Sequence, residues 1–445
     1  MDALPLLTLL MLTPAGAALL LQVPGLKAPA ISRGVTLVSA AVSGLLALLL
    51  VAGFRPEAAG FQFVERHPWI PSLGVQYLAG VDGLGLAMVV LTALLVPLAV
   101  LVTPADPGRA PAFHGLVLLL QAGLFGGFTA LDFFHWFLFW ELTLVPAYFL
   151  IKLWGSPGRV EAATQFFVYT FAGSVAMLLA MQAVVAATGT LDLPRLAEMA
   201  RGGELERAVG RTLHWTGLTP GALNQLLCLG VLLGLAVKVP LMPLHTWLPA
   251  TYATAPAGVV MLLTGVMSKL GLYGFLRILV PLFPGPLQAW QGGLLALAVL
   301  TVVAAAFAAW AQPDWRRLLA YSSVNHLGLC LLGVFAVLTP TAGGPAWAAE
   351  KAAVLNGVVF QMFSHGVTAA TLFGLVGWLE QRASGHQGLG DFGGLRRVAP
   401  VYAGFTGIAL FASLGLPGLG GFIGEFLIFK GAFPLAPWPV ALATL

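Results

Sequence analysis

Long apolar runs separated by short polar stretches recur along the whole chain. A helix crossing a bilayer needs about 20 apolar residues. Twelve runs meet that length, at roughly 4–22, 35–54, 83–103, 111–130, 132–151, 164–188, 221–243, 256–281, 288–311, 318–338, 353–380 and 400–432. The chain stops within a further apolar stretch, 434–445, which predicts a thirteenth helix that is truncated or completed elsewhere. The longest polar connection, about 189–220, mixes Arg195, Glu198, Arg201, Glu204, Glu206, Arg207 and Arg211 and predicts one amphipathic surface helix. A β-barrel would show alternating segments of about ten residues, and none is read. The predicted fold class is an all-α polytopic membrane protein.

Composition agrees with this pattern. Of 445 residues 59% are hydrophobic and only 9% charged, with a mean hydropathy of +0.93, whereas a soluble domain carries about 25% charged residues. A soluble enzyme, a disordered chain and a fibrous protein are all excluded. The 54 glycines and 30 prolines are tolerated in spanning helices, where neighbours satisfy freed backbone groups. The net charge is only +4, and the basic residues are scattered singly, which argues against a nucleic-acid partner. Their distribution sets orientation instead. Lys27, Arg33, Arg109, Lys152, Arg159, Arg316, Arg317, Arg382, Arg396 and Arg397 lie in loops on one side, against Arg55, Arg66, Lys351 and Arg277 on the other. The positive-inside rule then predicts an N-terminus outside. Leu4–Leu21 has no basic residues ahead of it and reads as a first helix rather than a cleaved signal. Cys228 and Cys330 show no CxxC pattern, so no disulfide framework, structural zinc or iron–sulfur cluster is expected.

Two spans contain internal breaks. One is Lys238-Val-Pro-Leu-Met-Pro243, and the other is Ser413-Leu-Gly-Leu-Pro-Gly-Leu-Gly-Gly421 ahead of Glu425. Paired interrupted helices mark inverted-repeat transporters. Five helices apart, the two copies run in opposite directions, which divides the chain into N-terminal helices 1–3 (1–110), a first repeat of helices 4–8 (111–285) and a second of helices 9–13 (286–445). An ionisable residue at a helix centre costs about 2.5–3.5 kcal/mol on insertion scales, and such residues are functional candidates by default. Four stand in apolar surroundings: Glu141, Lys238, Lys269 and Glu425. A buried Glu and Lys that approach and separate can exchange a proton, since each readily shifts its protonation when buried. The plain alternative for Glu141 and Lys238 is a static ion pair between helices.

Three histidines extend the set. His245 follows Lys238 by seven residues, two helical turns, and is expected on the same face. His326 and His365 lie among Ser, Asn and Tyr residues able to hold water. No metal-ligand spacing, dinucleotide fingerprint or phosphate loop is present, so the driving energy must come from a partner chain or an ion gradient.

At this point several stretches together carry a resemblance: Phe139-Trp-Glu-Leu-Thr-Leu-Val-Pro-Ala-Tyr-Phe149, Val237-Lys-Val-Pro-Leu-Met-Pro-Leu-His-Thr-Trp-Leu-Pro249, Ala255-Pro-Ala-Gly258, Ser268-Lys-Leu-Gly-Leu-Tyr-Gly-Phe-Leu-Arg277 and Asp314-Trp-Arg-Arg-Leu-Leu-Ala-Tyr-Ser-Ser-Val-Asn-His326. They resemble the antiporter-like, proton-translocating membrane subunits of respiratory complex I, from about residue 60 to 432. Glu65-Arg-His-Pro-Trp-Ile-Pro-Ser-Leu-Gly74, Gly80-Val-Asp-Gly83 and Gly420-Gly-Phe-Ile-Gly-Glu-Phe426 are similar to the subunit M branch, because sister subunits place a lysine where Glu425 stands. The resemblance implies a fourteen-helix fold with inverted repeats and a buried polar axis. It implies that Glu141 modulates Lys238, that Lys238 holds the proton, that Lys269 links the halves, and that Glu425 is the last carboxylate before exit, with His245, His326 and His365 in support. It also implies neighbouring antiporter-like subunits as partners and a bacterial plasma membrane location. No cofactor is expected on this chain, with NADH, FMN, iron–sulfur clusters and quinone on partner subunits. Two departures stand out: Ala250-Thr-Tyr-Ala-Thr-Ala255 replaces an acidic or His-bearing turn, and Gln121 puts a neutral group in helix 4. A subunit of a multisubunit cation/proton antiporter and a membrane subunit of a hydrogenase-type complex remain alternatives.

Overall fold

Every apolar run marked as spanning carries a helix, and the runs 221–243 and 400–432 are interrupted. In a computed structural model that describes residues 4–383 and 386–444, ten helices are long and apolar enough to cross a bilayer and two shorter apolar helices accompany them. In chain order the helices are α1 (Leu6–Leu20), α2 (Pro29–Gly53), α3 (Gly83–Val102), α4 (Ala110–Thr129), α5 (Phe133–Trp154), α6 (Arg159–Thr188), α7 (Leu193–Arg201), α8 (Glu204–Thr212), α9 (Pro220–Lys238), α10 (Trp247–Thr254), α11 (Ala257–Leu282), α12 (Pro284–Trp310), α13 (Trp315–Ala336), α14 (Pro345–Arg382), α15 (Pro400–Ser413), α16 (Gly420–Ala432) and α17 (Pro437–Ala443). Their starts are set by side chains that accept from otherwise unpaired first-turn amides. Asp82 accepts from Gly85 N at 3.0 Å, Asp132 from Phe134 N at 2.9 Å, Thr219 from Ala222 N at 3.2 Å and Asp314 from Arg317 N at 2.7 Å.

Three features depart from the hydrophobic pattern. The segment between α2 and α3 forms an antiparallel hairpin, β1 (Gln62–Ile70) and β2 (Val75–Val81), paired from Gln62↔Val81 to Ile70↔Val75. It is not a barrel but a cap over one end of the bundle. Leu131 N donates to Leu78 O at 2.9 Å, Arg66 pairs with Asp192 at 2.9 Å, and the Glu65 carboxylate accepts from Leu7 N at 2.8 Å and Thr8 N at 3.0 Å at the start of α1. Burial pushes the Tyr77 phenol, which bonds Thr8 at 2.5 Å, up to about 12. Burial likewise raises the Asp132 carboxyl above the usual range. Secondly, the 189–220 connection is two amphipathic helices, α7 and α8, because Gly202-Gly203 interrupts them and Gly203 adopts φ +68°. Thirdly, Arg316 is not a solvated loop charge. It is 6% exposed and forks onto Glu380 at 2.7 and 2.6 Å, while also donating to Ala255 O at 2.5 Å.

Loop contacts separate the two ends of the bundle. The hairpin, the α4–α5 and α6–α7 turns, and Arg277 with Asp82 (2.7 Å) share one end. The α3–α4 turn (Trp154 Nε1 to Gly108 O, 2.7 Å), the α5–α6 turn (Ser156 N to Thr254 O, 2.8 Å) and the Arg316–Glu380 pair share the other. The first broken helix, α9–α10, runs from the hairpin end to the far end. The second, α15–α16, runs back.

Candidate functional site

Proline places each break. Pro240 and Pro243 have no amide proton, so the α9 ladder stops at Lys238. The chain crosses 239–246 in irregular turns held by Met242 N donating to Thr301 Oγ1 (3.0 Å) and Trp247 Nε1 donating to Val237 O (3.0 Å). Lys238 therefore caps the negative end of a helix dipole in the middle of the bundle, a favourable place for a cation. It is 2% exposed. Gly271 on α11 lies so close to the Lys238 stem, 3.2 Å from where a Cβ would stand, that a side chain there would push the two helices apart.

Lys238 Nζ stands over the Trp140 ring, 4.8 Å from its centre, and the indole is fixed by donating from Nε1 to Ser174 Oγ at 2.8 Å. Glu141, the next residue on α5, is half-buried, and its Oε1 is buried without a protein partner. Among the described residues, neither Lys238 nor Lys269 has a carboxylate within 4.0 Å. The static Glu141–Lys238 ion pair is thus not formed.

A small cavity lies beyond Lys238, bounded by Phe166, Trp247, Tyr252, Met267 and Ser268, with about 10 Å³ for a water centre. That is room for about one water. Ser268 Oγ on its wall is 3.3 Å from Lys269 Nζ. Lys269 is fully buried and sits on α11 between two π-helical turns, Leu263–Met267 and Phe275–Leu279. Such turns interrupt regular i→i−4 bonding and are frequent at functional sites. Within the first, Thr264 O accepts from Lys269 Nζ at 2.5 Å and from Ser268 Oγ at 2.9 Å.

From Lys269 the polar groups are contiguous. Its Nζ meets His365 Nδ1 of α14 at 2.7 Å. The His365 and His326 rings are 5.1 Å apart between centres, and His365 Nε2 is buried without a protein partner. His326 Nδ1, on α13, lies 3.4 Å from Glu425 Oε1 on α16. Glu425 reaches this position because Gly415, at φ +66° in the second break, leaves room where any Cβ would strike its carboxylate.

Of the seven candidate residues, the fold joins Lys269, His365, His326 and Glu425 into one line. Lys238 adjoins that line across the cavity, and Glu141 follows Trp140 on α5 without joining it. His245 stands apart. The helix ends at Lys238, so the expected two-turn spacing between them does not hold. His245 is half-buried in the break, its Nδ1 unpartnered and its ring 6.3 Å from Tyr321. Three participants were overlooked as site residues. Trp140 and Ser268 each adjoin a candidate in sequence, and Gln361 precedes His365 by four residues, the spacing that puts two side chains on one helix face.

Comparisons with known proteins bear on the fold and the family. A family model described as NADH:quinone oxidoreductase/Mrp antiporter, TM, matches residues 130–445. The NADH-quinone oxidoreductase subunit M of Rhodobacter capsulatus is 37% identical over 433 residues, which is 97% of this chain and 80% of that one. A chain of respiratory complex I from Thermus thermophilus with bound NADH has a TM-score of 0.82 and 33% identity, covering 98% of this chain and 85% of that one. A chain of the Mrp complex from Dietzia sp. DQ12-45-1b shares the fold, with a TM-score of 0.81 at 23% identity over 99% of this chain and 77% of that one.

Proposed function

The chain belongs to the NADH:quinone oxidoreductase/Mrp antiporter family of membrane subunits, and from that premise we propose that it is the proton-translocating membrane subunit of an NADH:quinone oxidoreductase. It is a multi-pass membrane protein of a respiratory complex, seated beside other membrane subunits. The observation that carries the functional reading is the line of adjacent groups from Lys269 to His365, across the 5.1 Å between the His365 and His326 ring centres, and on to Glu425. Each member can both hold and release a proton; Lys269, His365 and His326 are buried in the bundle, and Glu425 is partly accessible at the end of the line.

The steps follow from the donors and acceptors present. Lys238 is loaded when its ammonium is stabilised by the α9 dipole and the Trp140 face. Glu141, one residue from that ring, biases the loading by its charge. A single water in the cavity beside Lys238, together with the Ser268 hydroxyl 3.3 Å from Lys269 Nζ, passes a proton between the two lysines. The Lys269 ammonium donates to His365 Nδ1, the imidazole gives up its other proton from Nε2 toward His326, and His326 Nδ1 delivers to Glu425 Oε1. His245, in the first break, stands apart from the route.

NADH, FMN, iron–sulfur clusters and quinone are assigned to partner subunits, whose redox chemistry drives the transfers. Helices 4–8 and 9–13 form two inverted units on either side of Lys269, an assignment supported by the opposite run of the two broken helices. The basic loops face the bacterial cytoplasm and the N-terminus lies outside. The test is Lys238→Ala in the intact complex. Proton pumping is expected to be lost while NADH–ferricyanide activity persists, and pumping at wild-type stoichiometry overturns the reading.

A further inference from the structure

We infer that Gln361 is a two-position amide that tracks whether His326 carries the proton, and so gates the last transfer to Glu425. The inference rests on the proton-transfer reading above. Gln361 is 1% exposed and lies on α14, one turn before His365. Its Nε2 is 3.3 Å from His326 Nδ1 and 3.4 Å from Glu425 Oε1, and those two atoms are themselves 3.4 Å apart. Its Oε1 is buried and has no partner, against Gly424 of α16, where a Cβ would occupy the oxygen's place.

A primary amide nitrogen only donates. With Nε2 toward the pair, its two protons go to His326 Nδ1 and Glu425 Oε1, which requires Nδ1 to present a lone pair. His326 is then the tautomer protonated at Nε2, facing Ser413 Oγ at 3.4 Å. When His365 hands on a proton and Nδ1 becomes N–H, two donors face each other, and that contact is repulsive. Turning the amide by half a revolution about its last torsion removes that clash and brings the amide oxygen, an acceptor, to Glu425 Oε1 in place of the donor. The orphaned Oε1 then accepts from Nδ1–H, and Glu425 loses the amide donor that stabilised its charge. The carboxylate is thereby a better acceptor when His326 is loaded. Once the proton has left, Nδ1 again requires a donor and the amide turns back. A buried acceptor left unpaired costs about 1–3 kcal/mol, so each arrangement leaves one group unsatisfied and neither is a permanent resting place.

The ionisable groups facing this amide and imidazole are Glu425 on α16, His365 on α14, Lys269 on α11 and the Cys330 thiol one turn along α13.

The experiment uses the intact complex carrying Gln361→Met, which keeps length and volume without polar atoms, and Gln361→Glu. Assembly, NADH–ferricyanide activity and coupled quinone reduction are measured from acid to alkaline pH. Gln361→Met is expected to assemble, to retain ferricyanide activity and to lose coupled turnover by about tenfold, the factor an ordinary hydrogen bond commands, with a pH profile unlike that of the wild type. Gln361→Glu is expected to recover turnover only toward acid pH, where a protonated carboxyl again offers both a donor and an acceptor. Wild-type turnover and pH profile in Gln361→Met overturn the inference. So does equal impairment of both variants at every pH, which marks a packing role. Should Gln361→Met not assemble, the acid-side recovery of Gln361→Glu decides alone. Normal pumping in Lys269→Ala would instead sink the underlying route, leaving the two failures distinguishable.

Discussion

Lys238 is held by the face of Trp140, 4.8 Å from its ring centre, and not by the carboxylate of the adjacent Glu141. An ammonium over an indole is attracted by the ring quadrupole with about 0.5–2 kcal/mol, the more so when dry. A direct ion pair in the same place would be tighter and slower to release its proton. On the proposed route the ring would keep Lys238 positioned and exchangeable. Trp140→Leu is expected to lower coupled turnover by about tenfold, while Trp140→Phe, which keeps a π-face, stays within about threefold. Comparing proton-to-electron ratios in the two variants checks this. Equal loss in both would assign Trp140 to packing alone.

The line from Lys269 to Glu425 predicts graded damage. Lys269 is fully buried and touches His365 directly, so Lys269→Ala removes a group that no neighbour replaces. Loss of a positioned proton carrier costs about 10²–10⁴-fold in rate, and pumping is expected to fall by that order with ferricyanide activity intact. Glu425 is more exposed, with 20% of its side chain accessible, and water can partly substitute for it. Glu425→Gln is expected to slow turnover less than Lys269→Ala, as stopped-flow acidification measurements in reconstituted vesicles would register.

The spanning helices were legible because burial in lipid demands long apolar runs, and Pro240, Pro243 and the glycines around 415–421 marked both breaks through backbone chemistry alone. The hairpin was not legible. Arg66, His67 and Pro68 interrupt any period-two alternation in β1, whose outward face is largely exposed. The isolated charges Glu141, Lys238, Lys269 and Glu425 stood out by the energetic cost of their surroundings. Gln361 did not, since a neutral amide in a helix carries no such penalty in sequence, and its place depends on α13 and α16 meeting α14. Helical spacing does not carry from Lys238 to His245, because Pro240 and Pro243 stand between them and the helix ends at Lys238.

Arg316 and Glu380 illustrate the same limit, being 64 residues apart and joined only by the fold. The bidentate fork ties the start of α13 to the end of α14, and the third contact, to Ala255 O, ties both to the α10–α11 turn. Removing one partner of a buried pair costs about 3–5 kcal/mol because the other charge is stranded. Arg316→Ala and Glu380→Ala should each lower the thermal stability and yield of the assembled complex. The double variant is expected to be less damaged than the sum of the two, which a double-mutant cycle on melting temperature measures. Strict additivity would mean that the pair is not coupled.

Glu65 closes α1 from a distance of 58 residues, accepting from Leu7 N and Thr8 N, while Thr8 also bonds Tyr77 on the opposite strand. A side-chain cap is worth about 0.5–2 kcal/mol, and α1 spans only 15 residues, with Pro14 inside it. Its attachment depends on the hairpin more than on its own helical propensity. Glu65→Ala should therefore loosen α1 without touching the lysine line. Limited proteolysis near the N-terminus is expected to become faster, with pumping stoichiometry unchanged in complexes that stay intact. Alkali should weaken the same clasp. Tyr77 titrates at about 12 in the folded chain against 10.0 when free, so the folded state holds this proton more tightly than the unfolded one. Its contribution is complete below pH 10 and falls as pH rises toward 12. Tyr77→Phe should flatten that part of the pH dependence of α1 protection, and an unchanged slope would place the alkaline weakening elsewhere.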